Sequence, residues 1–451
     1  MDRHADPRGR RPLTHKTAII AALLATSCAK KGKPAPDTVS ARTGDSGGSS
    51  SGDSVGPDTF RQDTSDTSDT SDTSDSASPG RPRLSGLVDA ITFEAPDEAL
   101  ALGASVAWLD GSAWAGAPVS GDVFVLDADG HWWTDVPESY FGDALAVDGS
   151  TVLAGAWDDG AGRGAVHRLS SGGGANVDDG LMRVADVDEA VGLVMAVDAG
   201  SSAWLLGRPR AAGNVGVVQL RTAGVEEPTA IWRGVSTGAL LGGGLAFGDI
   251  DGDGISDVIM GAWGEAGFRG AVYVLRSPVS GGSLDDADVR WHGDEWAIAG
   301  YSVAVGDTDG DGHNEVIVGS FGDTRAGSGA GAITVVPADT PSGSLLQASA
   351  HRLGPGLNAH LGSSLVVGDL DLDGKDDIVA GAPDRADGGV AAIWYGPVIG
   401  VADTAEATLT VNQPGDGLGA SLAMDHETRR LLVGAPGAAE GQGAVFLITA
   451  P

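Results

Sequence analysis

The sequence predicts an all-β fold, a seven-bladed β-propeller over residues 85–451, and three observations carry that expectation. A unit recurs seven times, opening at Gly103, Gly142, Gly192, Gly242, Gly300, Gly362 and Gly419, every 39 to 62 residues. Within each unit, short apolar stretches that alternate in and out are separated by turns rich in Gly and Asp, the pattern of half-buried strands at blade spacing. The last unit stops after its third stretch at Ile448, whereas an extra stretch, Leu87–Glu94, precedes the first unit. Pairing the two would close the ring and remove an open edge.

The clearest unit runs Leu361-Gly362-Ser363-Ser364-Leu365-Val366-Val367-Gly368-Asp369, an acidic loop, then Asp377-Ile378-Val379-Ala380-Gly381-Ala382-Pro383. The second stretches of its sister units also end at a small-residue step, among them Gly116-Ala117, Gly155-Ala156, Gly261-Ala262 and Gly434-Ala435. Small residues there let neighbouring blades approach closely near the axis. Third stretches follow, such as Gly270–Leu275, Gly331–Val336 and Gly389–Tyr395, and a fourth, outer stretch is visible as Leu346–Leu353 and Ala407–Asn412.

Three turns between first and second stretches carry the strongest chemistry. They read Asp249-x-Asp251-x-Asp253-Gly254-x-x-Asp257, Asp307-x-Asp309-x-Asp311-Gly312-x-x-Glu315 and Asp369-x-Asp371-x-Asp373-Gly374-x-x-Asp377. Oxygens at positions 1, 3 and 5 of a tight loop converge on one point. Position 7 offers a backbone carbonyl (Ile255, His313, Lys375), position 9 closes the sphere, and Gly at position 6 permits the reversal. Hard anionic oxygens in a flexible cage suit Ca²⁺ better than Mg²⁺, which demands strict octahedral geometry and keeps its waters. An EF-hand would need Glu at position 12, where these loops have Met260, Val318 and Ala380 inside apolar stretches. A solvated Asp-Gly turn is a fair account of one such loop; three in register predict three calcium ions. The sister turns at Asp110-Gly111, Asp148-Gly149, Asp198-Ala199-Gly200 and Asp425-His426-Glu427-Thr428 lack the ligand pattern.

Taken together, these features resemble the FG-GAP repeats of integrin α-subunit heads and of many bacterial surface proteins, over roughly residues 85–451. Phe141-Gly142 keeps the FG pair, while Leu361-Gly362, Leu418-Gly419 and Ala299-Gly300 replace it. The resemblance implies a seven-bladed propeller, in agreement with the unit count, that presents loops on one face to proteins or glycans. Variable segments such as Trp157–Arg163 and Phe321–Ala330 would carry specificity.

The N-terminus has Arg3, Arg8, Arg10, Arg11 and Lys16, then the apolar run Thr17–Ala25, then small residues. That order predicts a secretory signal over residues 1–27, the run being too short to span a bilayer. The sole cysteine closes Leu24-Ala25-Thr26-Ser27-Cys28, which looks like a bacterial lipobox and implies lipidation of Cys28; an ordinary signal with an incidental cysteine is the alternative. Residues 28–84, with a tandem Asp-Thr-Ser repeat, hold too little apolar surface to fold and read as a disordered spacer or a glycosylated stalk. The expected location is the outer membrane or cell surface, otherwise the periplasm or medium, with membrane attachment by the lipid alone.

A formal net charge of −34 argues against nucleic acid, which needs clustered Lys and Arg. One cysteine excludes an intramolecular disulfide. The histidines beyond the signal region, at 131, 167, 292, 313, 351, 360 and 426, form no H-E-x-x-H motif, and His351 and His360 read as surface loop residues. Gly234-Val235-Ser236-Thr237-Gly238 matches Gly-x-Ser-x-Gly without the helix a nucleophile elbow requires. Trp132, Trp133, Trp291 and Trp296 could line a sugar-binding face, although core packing explains most of them more simply. The expectation is a monomeric, non-enzymatic binding, adhesion or scaffold module for a protein or glycan ligand; a lectin-like propeller is the alternative, and a glycan- or lipid-cleaving enzyme a weaker one.

Overall fold

A computed structural model describes residues 86–450, apart from short stretches at 88–89, 97–98, 129, 137–138, 158–163, 172, 178–182, 188–193, 226, 349, 411–412 and 414. The signal region, Cys28 and the Asp-Thr-Ser spacer lie outside the described residues. The rest forms seven sheets of four or five strands. The first strand of each lies innermost and later strands step outward by antiparallel hairpins. In chain order, blade 1 is Ser105–Leu109, Ser112–Ala117, Asp122–Val125 and Gly130–Trp133. Blade 2 begins at Leu145, blade 3 at Val194, blade 4 at Leu241, blade 5 at Ala299, blade 6 at Ser364 and blade 7 at Ser421. The architecture is the all-β seven-bladed propeller that the repeat count predicts.

Burial follows from blades packing face to face. The second strands Asp257–Ala262, Glu315–Ser320 and Asp377–Ala382 are buried at all six positions, because each is covered by a neighbouring sheet on both faces. The core is accordingly a series of inter-blade clusters rather than one centre. Val379, Ile393 and Leu409 of blade 6 pack with Leu431 and Val433 of blade 7. Leu432 and Val445 of blade 7 pack with Val106, Ala113 and Ala115 of blade 1, which joins the last blade to the first.

The small-residue steps are the joints of the ring. A Cβ on Gly381 of blade 6 would collide with the carbonyl oxygen of Gly419 in blade 7, and Gly116, Gly261 and Gly434 meet Gly142, Gly300 and Gly103 in the same way. Ser105, Ser302, Ser364 and Ser421 each donate a hydrogen bond of 2.7–2.8 Å to the opening-glycine carbonyl of the next blade.

Two segments differ from their expected bounds. Leu87–Glu94 is not one strand: Gly86–Leu87 runs parallel on the outer strand of blade 6, and Ile91–Glu94 pairs antiparallel with Ala444–Thr449 as the outer strand of blade 7. The chain thus serves two neighbouring blades, which an unbroken strand could not reach. Leu346–Leu353 is likewise a 3₁₀ turn at Leu345–Gln347 followed by a strand at Ala350–Leu353, because Ser344 caps the turn by accepting from the Leu346 N–H at 3.3 Å.

Candidate metal centres

Each acidic loop leaves the end of a first strand and returns into the buried start of the second. The carboxylate at position 1 organises it. Asp249 accepts from the N–H groups of Gly252 (2.7 Å), Asp253 (3.2 Å) and Gly254 (2.8 Å). Asp307 accepts from Gly310, Asp311 and Gly312 at 2.7–3.1 Å, and Asp369 from Asp373 and Gly374 at 3.0–3.1 Å. This winding needs a left-handed residue at position 6, where Gly254, Gly312 and Gly374 have φ of +83°, +88° and +86°. At position 5, Asp253, Asp311 and Asp373 accept from the N–H of Ile255, His313 and Lys375 at 2.8–2.9 Å, fixing the residues whose carbonyls stand at position 7.

Position 9 is buried. Asp257 accepts from the N–H of Ile250 (2.9 Å) and Ser277 (2.7 Å), and Asp377 from those of Leu370 (2.7 Å) and Gly396 (2.9 Å). Glu315 accepts from both the N–H and the hydroxyl of Thr308 at 2.8 Å. Burial raises the pKa of all three above the ordinary carboxylate range, and the loop aspartates nearby raise it further. Asp377 is pushed up to about 7. A bound cation would reverse both effects, since it rewards the charged form.

Carboxylate oxygens converge in triples: Asp249, Asp251 and Asp257; Asp307, Asp309 and Asp311; Asp369, Asp371 and Asp377, the oxygens of each lying within 4.8 Å of one another. The donor set is all oxygen and largely anionic, which fits a hard divalent cation. In blade 5 the longer Glu315 is taken up by Thr308, and Asp311 supplies the third oxygen of the triple. Two sister turns meet the same electrostatic problem differently. Asp148 in blade 2 pairs with Arg168 at 2.6 Å, and Asp425 in blade 7 with Arg430 at 3.0 Å. Burial pushes the Asp425 carboxyl up, but bonds from Thr428 and Arg430 outweigh it and hold the group below its usual value.

The loops are also tied to one another, through a position that the ligand spacing passes over. At position 8, Ser256 donates to Asp198 in the blade 3 turn at 2.8 Å, and Asn314 donates to the Asp249 carbonyl at 2.8 Å. Asp376 exchanges hydrogen bonds with the Asp307 backbone at 2.8 and 3.0 Å. Arg429 of blade 7 completes the chain by donating to the Leu370 carbonyl at 3.1 Å. No odd–even ligand rule marks position 8; the signal would have been a hydrogen-bonding residue there in all three loops.

Away from these loops, several candidates resolve into structure. Trp132 is 2 % exposed and stacks on Trp114, and Trp291 is buried in the seam between blades 4 and 5. His351 is not a surface residue: it sits buried in Ala350–Leu353, 3.0 Å from the Thr334 hydroxyl, because that strand is the fourth of its blade and is covered outside. His360 stacks on Phe321 and meets Asp384 at 2.8 Å. Trp296 differs, being 46 % exposed at the end of a run of rings, Trp296–Phe268–Trp263–Tyr301–Phe321–His360, across blades 4 to 6 at the opposite strand ends from the acidic loops.

The FG-GAP repeat family matches the chain at residues 241–275, 299–336 and 361–394, the first three strands of blades 4, 5 and 6 and thus the three units that hold the acidic loops. The chain is a seven-bladed β-propeller carrying FG-GAP repeats. Among solved structures it is similar to one titled "Structure of Dos1 propeller", at 10 % identity and a TM-score of 0.46, covering 80 % of this chain and 96 % of that one. No curated protein matches it. Among the described residues, no helix is long and apolar enough to cross a membrane.

Proposed function

We propose that this protein is an exported, calcium-binding propeller that acts as a surface binding, adhesion or scaffold module. The observation that carries the calcium reading is the threefold convergence of carboxylates at equivalent loops of adjacent blades. Asp249, Asp251, Asp253 and Asp257 would hold one ion with the Ile255 carbonyl. Asp307, Asp309, Asp311 and Glu315 would hold the second with that of His313, and Asp369, Asp371, Asp373 and Asp377 the third with that of Lys375. The ion would neutralise carboxylates that otherwise repel one another, where Arg168 and Arg430 do so in blades 2 and 7. Binding only to the folded ring then stabilises it by mass action, by about 2.7 kcal/mol per site at a hundredfold excess over Kd. The test is a thermal melt of the full chain in calcium and in chelator, alongside direct titration. The expected result is three ions bound and a lower melting temperature in chelator; an unchanged melt would remove the structural role.

The basic, apolar and small-residue order of the N-terminus supports export, and Cys28 supports lipid anchoring. Mass spectrometry of the mature protein from a bacterial envelope, expected to show a diacylglyceryl N-terminus at Cys28, tests that part. A second reading, glycan binding, is favoured by the exposed Trp296 at the end of the ring run, since aromatic faces stack on sugars. A glycan array combined with a hydrolase screen separates a lectin from an enzyme and both from a protein-binding module.

A further inference from the structure

The outer edges of the blades follow a pattern of their own. At five seams, backbone from one blade, or from the segment before Ile91, lies parallel on the outer strand of the preceding blade. Asn176 bridges to Trp133 between blades 1 and 2, and Gly282 to Trp232 between blades 3 and 4. Gly343–Ser344 pairs with Trp291–His292, Val401–Ala402 with His351–Arg352, and Gly86–Leu87 with Ala407–Thr408. Backbone hydrogen bonds hold these additions, such as Gly282 N–H to the Ile231 carbonyl at 3.3 Å and His351 N–H to that of Gly400 at 2.8 Å. Three of the segments then insert an aliphatic anchor, Val177, Leu284 or Leu345, each at most 4 % exposed, into the cluster between the two blades. Leu284, for example, shares a cluster with Trp232 of blade 3 and Leu275 at the end of the third strand of blade 4.

Among the described residues, the outer strands of blades 2 and 7 lack this cover, and the one on blade 7 borders a groove. No described residue pairs on the outer side of Ile91–Glu94, where Thr92 and Glu94 are exposed and Ile91 is 62 % exposed. The connection that should supply the strand belongs to blade 1, and only residues 126–129 join Asp122–Val125 to Gly130–Trp133. That is too short to cross to a neighbouring edge and return. A groove of about 410 Å³, lined by Thr92, Phe93, Glu94, Phe124, Val125 and Leu126, lies between this edge and the end of the third strand of blade 1. That is the place equivalent to the one Leu284 fills between Trp232 and Leu275.

We propose that this seam docks an extended segment of a partner protein by strand addition. The segment runs parallel to Ile91–Glu94, sets a small residue on the edge, and places Leu or Val one or two positions later in the groove. The parallel pairing is read from the five occupied seams, the anchor from the three that insert Val177, Leu284 or Leu345, and the small edge residue from Gly282 and Gly343–Ser344; main-chain hydrogen bonds give the attachment and the anchor gives the selectivity. Basic flanks complement Glu94 and a chain of net charge −34. The same charge sets a second copy at a disadvantage, since self-pairing would bring two Glu94 edges together. The inference goes beyond the binding-module reading and is independent of calcium.

The test uses the full chain, ¹⁵N-labelled and with calcium present, and a peptide copying residues 337–348, which carries Gly343-Ser344-Leu345, with lysines appended at both ends. Saturable amide shifts confined to Ile91–Glu94 and Phe124–Leu126 are expected. They should be lost when the peptide carries Leu345→Asp, and lost in Thr92→Trp protein, whose added indole fills the groove from an exposed position without changing the melting temperature. Absent shifts, shifts elsewhere, or shifts that survive either change would overturn the proposal, as would a dimer that Thr92→Trp disperses. None of these results bears on the chelator melt, so the two readings fail separately.

Discussion

Single glycines decide how closely the blades meet. Gly381 packs its Cα against the Gly419 backbone, and Ser364 reaches the Gly419 carbonyl at 2.7 Å across the same joint. Gly381→Ala forces a methyl group into backbone that cannot rotate away, unlike a flexible side chain. We expect it to cost at least about 2 kcal/mol, within the range of overpacked cores. Ser364→Ala only deletes a hydrogen bond and should cost about 1 kcal/mol. Urea midpoints of the two variants check both values, and a Gly381→Ala protein as stable as the parent would contradict the joint. The same residue scale explains why Phe-Gly can become Leu-Gly or Ala-Gly here: the glycine backbone makes the contact, whereas the residue before it needs only to be apolar.

At the scale of elements, the acidic loops behave as linked turns. Position 1 winds each loop, position 9 anchors it to the buried second strand, and position 8 ties it to the blade before. Asn314→Ala removes the bond to the Asp249 carbonyl without touching a carboxylate. The expected outcome is a loss of about 1 kcal/mol in stability with three ions still bound; isothermal titration and urea melts read the two quantities separately. Asp377→Asn, by contrast, replaces a buried carboxylate of the blade 6 triple, and the same titration should then count two ions. Three ions in that variant would mean that Asp377 serves the fold and not the metal.

The whole molecule is a ring whose last sheet is completed from the far end of the chain. Ile91–Glu94 supplies the outer strand of blade 7, and Gly86–Leu87 covers blade 6. Deleting the chain up to Ala95 uncovers both edges at once. Lower melting temperature and concentration-dependent aggregation are expected, measured by calorimetry and light scattering against the parent; a truncated chain that matched the parent would show that blade 7 closes without its outer strand. The central strands, held between sheets, should be unaffected until the ring opens.

Much of this was legible in the chain itself. The blade count follows from a unit that recurs with its turn chemistry, because each repeat must present the same small step, apolar alternation and hairpin to its neighbours. The oxygen-rich loops were legible for a similar reason: ligand geometry in a tight turn is local, so its spacing is written in consecutive residues. Tertiary structure alone decided what depends on residues distant in sequence. It split Leu87–Glu94 between two blades, buried His351 under a strand contributed some fifty residues later, and linked Asn314 to Asp249. It also distinguished Trp291 in a seam from Trp296 on the surface. Local patterning fixes which segments become strands and turns. Which edges are covered and which polar groups meet is set only when the blades pack around a common axis.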